Sequence, residues 1–251
     1  MKIYEIFFFI LFLASFILFA PAKIFLLVNH INSSPVKIKN INGTVWNASF
    51  NLVLTNGSSV INFLDCEYYK WSLSKLIFLN KVKLRTICAQ NNRTLLTVEG
   101  NFEKVKINLN KINLDNSKLS FLLPSPYNAI EFSGVTNISF PEISLNIDKN
   151  SITLNDEKIS IIVTDLSTNL FPSNLGTYKI IGNYADKNIK YSVETVSGSL
   201  SVYGNGIINH KMHSFSGYAE NVDDSPKLDN FMNLLGSWEN LNRKKVIKLN
   251  F

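Results

Sequence analysis

The apolar run from Ile6 to Val28 constrains this chain more than any other stretch. Ile6 to Ala20 carries no charge, and Ile24 to Val28 resumes the run after Pro21, Ala22 and Lys23. The whole is close to the roughly 20 apolar residues that a helix needs to cross a bilayer core. A backbone in lipid must satisfy its own polar groups, so residues 1–28 read as one membrane-spanning helix and 29–251 as material beyond it. Pro21 would break a soluble helix. Near the end of a span, however, the freed backbone groups reach interfacial water, and Lys23 can extend to the headgroups. A cleaved signal peptide is the competing reading, because Ala20-Pro21-Ala22 fits the small-x-small cleavage pattern. Apolar sequence continues past Ala22, which favours a retained anchor. Loop charge is a weak guide to orientation: Lys23, Lys37 and Lys39 follow the uncharged stretch, Lys2 and Glu5 precede it, and a long downstream domain is translocated largely regardless.

Beyond the anchor, charged residues at 18% and hydrophobic residues at 46% place the chain in the globular class. From Val36 onward it is written in short β-type runs broken by Asn, Gly and Ser. Asn42-Gly43 and Asn56-Gly57 are strong hairpin dipeptides between such runs and predict a three-stranded meander over Val36 to Leu64. A two-residue turn at Asn56-Gly57 pairs Leu52 with Ile61 and Phe50 with Phe63, on one face with Trp46 and Leu54. A three-residue loop with a bulge at the first hairpin brings Val36 and Ile38 to that face and puts Gly43 at positive φ. Period-two alternation returns in Val105, Ile107 and Leu109, in Ile143, Leu145 and Ile147, and in Ile159, Ile161 and Val163. The expected fold is mainly β: an N-terminal transmembrane helix followed by a curved antiparallel sheet or sandwich-like domain with few short helices. Pro124 and Pro126 mark a candidate internal break near 122–130.

Helical signals are few. Trp71 to Leu79 suits a short turn or helix. Pro226 to Leu235 is the stronger segment, with Ser225 as N-cap, Pro226 at the first position and Gly236 past the end. Leu228, Phe231, Met232 and Leu235 line one face of it, as the helix's packing surface or as a candidate docking surface for another protein. The only two cysteines, Cys66 and Cys88, lie beyond the anchor, where a single disulfide is the expected pairing and two separate buried thiols the alternative.

No catalytic motif stands out. GxSxG, P-loop and HExxH patterns are missing, and Gly204-Asn205-Gly206 fails the dinucleotide fingerprint. With no CxxC and only His30, His210 and His213, no metal set is expected. His210 and His213 fall on opposite faces of a strand and read as surface residues. Asp223-Asp224 suits the approach to a helix N-terminus better than acid/base work. The net charge of +6 comes from scattered lysines and a tail cluster at Arg243, Lys244 and Lys245. It reads as a solvated face, with contact to anionic headgroups or nucleic acid as the sharper alternative, and no basic stripe interleaved with aromatics supports nucleic acid. The expectation is a non-catalytic chain with no cofactor; a hydrolase with a scattered active site is a distant rival.

Four blocks carry a resemblance: an N-terminal apolar segment ending in Pro21-Ala22, then Gly43-Thr44-Val45-Trp46, then Trp71 with Leu73, then Leu-x-x-Phe-Met-x-Leu-Leu-Gly from Leu228 to Gly236. In order and spacing they resemble protein N of the type II secretion system, the general secretion pathway protein N family. Ala48 stands where that family usually has a second glycine. The resemblance implies a bacterial inner-membrane protein, single-pass, with a β-rich periplasmic domain. It would be an accessory part of the machinery that exports folded proteins across the outer membrane, with other inner-membrane secretion components as partners. Such proteins also resemble the AsmA-like envelope group, which implies an alternative: a lipid-handling protein whose curved sheet shields acyl chains.

Overall fold

The computed structural model describes residues 19–24, 36–55, 60–62, 66–118, 129–147, 151–154, 158–171, 173–185, 188–209, 213–233, 238–241 and 244–250. The chain divides into two compact units, Met1–Asn108 with Ser144–Ile152, and Leu109–Ile143 with Thr153–Phe251. The mainly β class read from the sequence is what the chain adopts, as two sheets, each of nine strands among the described residues. Among the described residues no helix is long and apolar enough to cross a membrane. The run from Ile6 to Val28 lies outside the described residues except for 19–24.

The first sheet contains β1 (Val36–Gly43), β2 (Asn47–Thr55), β3 (Val60–Asn62), β4 (Tyr69–Leu73), β5 (Val82–Cys88), β6 (Thr94–Gly100), β7 (Lys104–Leu109), β10 (Ile143–Asn146) and β11 (Ser151–Leu154). Its order is β1-β2-β4-β5-β6-β7-β10-β11, with β3 also paired to β2. Directly opposed residues of antiparallel strands share a face. The register Phe50↔Tyr69↔Cys88 and Ala48↔Trp71↔Thr86 therefore gathers the apolar positions of three strands on one side. Phe50, Leu54 and Tyr69 are buried there, while Leu52, Leu73, Leu84, Leu96 and Val98 are half-buried. The other side carries Asn47, Ser49, Lys70, Ser72 and Arg85.

Two turns differ from the expected ones. Asn42-Gly43 is not a turn: β1 runs through it, Gly43 faces Ala48, and the chain reverses at Val45-Trp46. Thr44 holds this tip, its amide donating to the Asn47 carbonyl at 2.9 Å and its hydroxyl accepting from the Asn47 amide at 3.3 Å. The bulge sits earlier, at Asn40-Ile41 opposite Phe50, with Asn40 at φ 53°. Val36 and Ile38 still reach the apolar face, opposite Leu54 and Leu52. Gly43 does have positive φ, 109°, and a Cβ there would overlap the Asn47 carbonyl oxygen, so only glycine fits. In the second hairpin Leu54, not Leu52, opposes Ile61. A slip of two residues preserves the face of every side chain. Residues 56–59 and Phe63 lie outside the described residues.

Trp71 to Leu79 splits: Trp71 to Leu73 belong to β4, and only Lys75–Leu79 is helical, as a 3-10 turn. The Ser74 hydroxyl accepts from the Leu76 amide, and Asn80 closes the turn in the left-handed region at φ 57°. Alternation holds in β7 but fails in β10, where Ser144 is buried and Ile147, beyond the strand end, is exposed.

The second sheet has the order β17 (Trp238–Leu241), β18 (Lys244–Asn250), β16 (His213–Asn221), β15 (Leu200–Ile208), β14 (Asn188–Ser197), β13 (Gly176–Ala185), β12 (Lys158–Thr168), β9 (Phe132–Ser139) and β8 (Ile112–Asp115). All its pairings are antiparallel. The helix α1 (Pro226–Met232) covers a core that includes Leu200, Phe215, Ala219 and Ile247. The candidate break around Pro124 and Pro126 falls in 119–128, outside the described residues. The strands on either side of it, β8 and β9, pair with each other.

Candidate anchoring site

Three of the four sequence blocks meet at one junction in the first unit. The Ala22 amide donates to the Gly43 carbonyl and the Val45 amide to the Ala20 carbonyl, both at 3.0 Å, and Pro21 forms a bridge with Thr44. These bonds hold residues 20–22 against the β1–β2 tip through one isolated antiparallel bridge. On its other side the tip is held by β4. The Leu73 amide donates to the Trp46 carbonyl at 2.7 Å, and the Trp71 indole Nε1 donates to the Val45 carbonyl at 3.1 Å. Trp46 is buried, and Trp71 packs on Phe50 with ring centroids 5.2 Å apart. Gly43, Thr44, Val45, Trp46 and Trp71 thus form a hydrogen-bonded clamp around the residues that follow the uncharged run.

A disulfide joins Cys66 to Cys88, with Cα atoms 5.9 Å apart. It ties the chain entering β4 to the end of β5, two strands that share the clamp's sheet. On the chain-entropy account such a crosslink stabilises by roughly 3 kcal/mol.

The closing block folds onto its own unit. Leu228 and Met232 are 0% exposed, and Phe231 is half-buried against Phe171 at 6.5 Å. Their face is therefore the helix's packing surface, and the docking alternative loses its apolar stripe at these three positions. Leu235 and Gly236 lie outside the described residues. Ser225 takes the N-cap position without a side-chain hydrogen bond, and Asn221 braces it, its Oδ1 accepting from the Ser225 amide at 3.3 Å. Its Nδ2 donates to the Ser225 carbonyl and to the Asp229 carboxylate, both at 2.9 Å. Asp223 and Asp224 remain exposed ahead of the helix.

Sequence reasoning missed a second cluster. The Tyr191 hydroxyl and His213 Nε2 are 2.6 Å apart, with the two ring centroids at 5.9 Å, and the Phe215 ring lies nearly parallel to that of Tyr191 at 6.0 Å. Tyr191 lies over Gly206, where a Cβ would enter its ring. Burial holds the Tyr191 hydroxyl above its ordinary pKa, keeping it protonated. The signal was present as glycines in mid-strand, Gly204, Gly206 and Gly217, which leave room for aromatic neighbours. His210 lies outside the described residues.

Beside the clamp, Asn42, Asn47, Ser49, Lys70, Ser72 and Arg85 line a shallow depression of about 470 Å³. Arg85 is oriented in it by Thr94, whose hydroxyl accepts from Nε at 3.1 Å and from Nη2 at 2.7 Å. Among the described residues no group of His, Cys, Asp and Glu is placed to hold a metal ion. No protein-family model, curated protein or solved structure matches this chain.

Proposed function

We propose that this chain is a non-catalytic accessory component of a type II secretion system. In this reading residues 1–28 anchor it in the bacterial inner membrane, and its β-rich part stands in the periplasm and holds other inner-membrane secretion components. The observation that carries the reading is the clamp. Pro21-Ala22, Gly43 to Trp46 and Trp71 with Leu73 are three of the blocks on which the resemblance to protein N rests, and they are hydrogen-bonded to one another. Their shared role is then mechanical, since a clamp at the end of an anchor fixes the first sheet relative to the bilayer.

Crosslinking in cells, followed by purification of the full chain from membranes, tests this. Recovery of inner-membrane secretion components is the expected result. Recovery of phospholipid without them would favour the AsmA-like lipid-handling alternative. One observation favours that second reading: Leu52, Leu73, Leu84, Leu96 and Val98 are only half-buried on the apolar side of the first sheet. The anchor itself is checked by intact mass. A mature chain beginning at Met1 is expected, and one beginning at Lys23 would overturn the anchor.

A further inference from the structure

Consecutive antiparallel strands return their alternate turns to the same end of a sheet. In the first sheet the register places three connections together: the Val45-Trp46 tip, the 74–81 segment between β4 and β5, and the 101–103 turn between β6 and β7. This end receives residues 20–22. It is also rich in apolar side chains left outside the fold: Leu76 is 48% exposed, Leu79 70%, Phe102 53% and Ile147 55%. Phe19 and Ile24, flanking the clamped residues, are exposed as well.

These side chains stand on ordered turns. The Asn80 Oδ1 accepts from the Phe102 amide at 2.8 Å, tying the two neighbouring connections, and the Ile147 amide donates to the Glu103 carbonyl at 2.8 Å. Around them Lys23, Lys75, Lys81 and Lys104 are exposed, against Glu103 as the acidic residue of the same turns. Leucine and phenylalanine ringed by lysine match the bilayer interface: apolar groups enter the headgroup boundary, and ammonium groups meet anionic lipid. Lysine is by contrast depleted where proteins meet proteins.

We propose that this end of the first sheet lies in the membrane interface, with Leu76, Leu79 and Phe102 inserted among phospholipid headgroups. The inference rests on the anchor reading, because the residues that follow the uncharged run are clamped at this same end. It makes the clamp a device that holds a second, shallow membrane contact in register with the span. The periplasmic unit is then held against the bilayer in a fixed orientation.

The test uses the full chain in vesicles of phosphatidylethanolamine and phosphatidylglycerol. L79C, F102C and, at the β5–β6 turn on the opposite end, N91C are each labelled with an environment-sensitive fluorophore; Cys66 and Cys88 are paired with each other and do not react. Nitroxide on shallow acyl carbons should quench the labels at 79 and 102, and iodide on both sides of the membrane should quench only the label at 91. Labels at 79 and 102 that are quenched by iodide as strongly as at 91, in chains that float with the vesicles and resist an alkaline wash, overturn the proposal and leave the anchor standing. Labels shielded from both quenchers also overturn it, in favour of a protein contact. Chains that do not float overturn the anchor and the proposal together.

Discussion

The indole N–H of Trp71 reaches the carbonyl of Val45 at 3.1 Å, joining residues 26 apart in sequence and fixing β4 to the tip of the first hairpin. Trp71→Phe keeps most of the packing on Phe50 and removes the donor. The variant should lose about 1–2 kcal/mol of stability in urea unfolding. It should also expose the amides of Ala22 and Val45 to faster hydrogen exchange, because the tip they bond to is loosened.

Leu228→Ala empties a fully buried position on the inner face of α1. The expected cost is about 2–5 kcal/mol, with a fall in cellular abundance. Phe231→Ala, at a half-buried site, should cost less. Equal cellular abundance of Leu228→Ala and the parent chain would contradict the packing role.

Much of this was legible in the residues, and the limits have physical causes. Period-two alternation identified strands, and Ser225-Pro226 located the helix, because both signals act over a few neighbouring residues. The first turn was misplaced because Asn42-Gly43 is a local preference, whereas the reversal at Val45-Trp46 is set by distant partners: Ala20, Ala22, Trp71 and Leu73. Gly43 has the positive φ that a glycine beside a bulge would have, yet the bulge lies at Asn40-Ile41 and the φ of Gly43 serves a close approach to Asn47 within the hairpin. Tyr191 and His213 meet across two strand pairings, and no spacing in a single sequence announces such a contact. Asn221 braces the N-cap residue from the preceding strand, accepting from the Ser225 amide and donating to its carbonyl, a contact hidden behind the better-placed Ser225.

Tyr178 gives a pH signature. Its buried hydroxyl lies 3.1 Å from the Leu175 carbonyl and 2.9 Å from the Leu200 carbonyl. Burial raises its pKa above the ordinary 10.0. The folded state then holds the proton more tightly than the unfolded state, so this contribution to stability is full below pH 10 and is lost as pH rises above it. Tyr178→Phe should cost about 1–2 kcal/mol at neutral pH and flatten the alkaline fall. Stability curves from pH 7 to 11 for both chains provide the check.

Replacing both Cys66 and Cys88 with serine avoids stray thiols and opens the crosslink between the β4 entry and β5. A loss of roughly 3 kcal/mol is expected. It should appear in a transition monitored in the first unit, and reductant should produce the same shift in the parent chain and none in the double variant.

The most direct test of the central claim is the fate of exported proteins in bacteria lacking this chain. An accessory secretion component predicts folded secreted proteins accumulating in the periplasm, restored by the full chain and not by a version without residues 1–28. Normal export, accompanied by altered outer-membrane lipid content or permeability, would contradict the account.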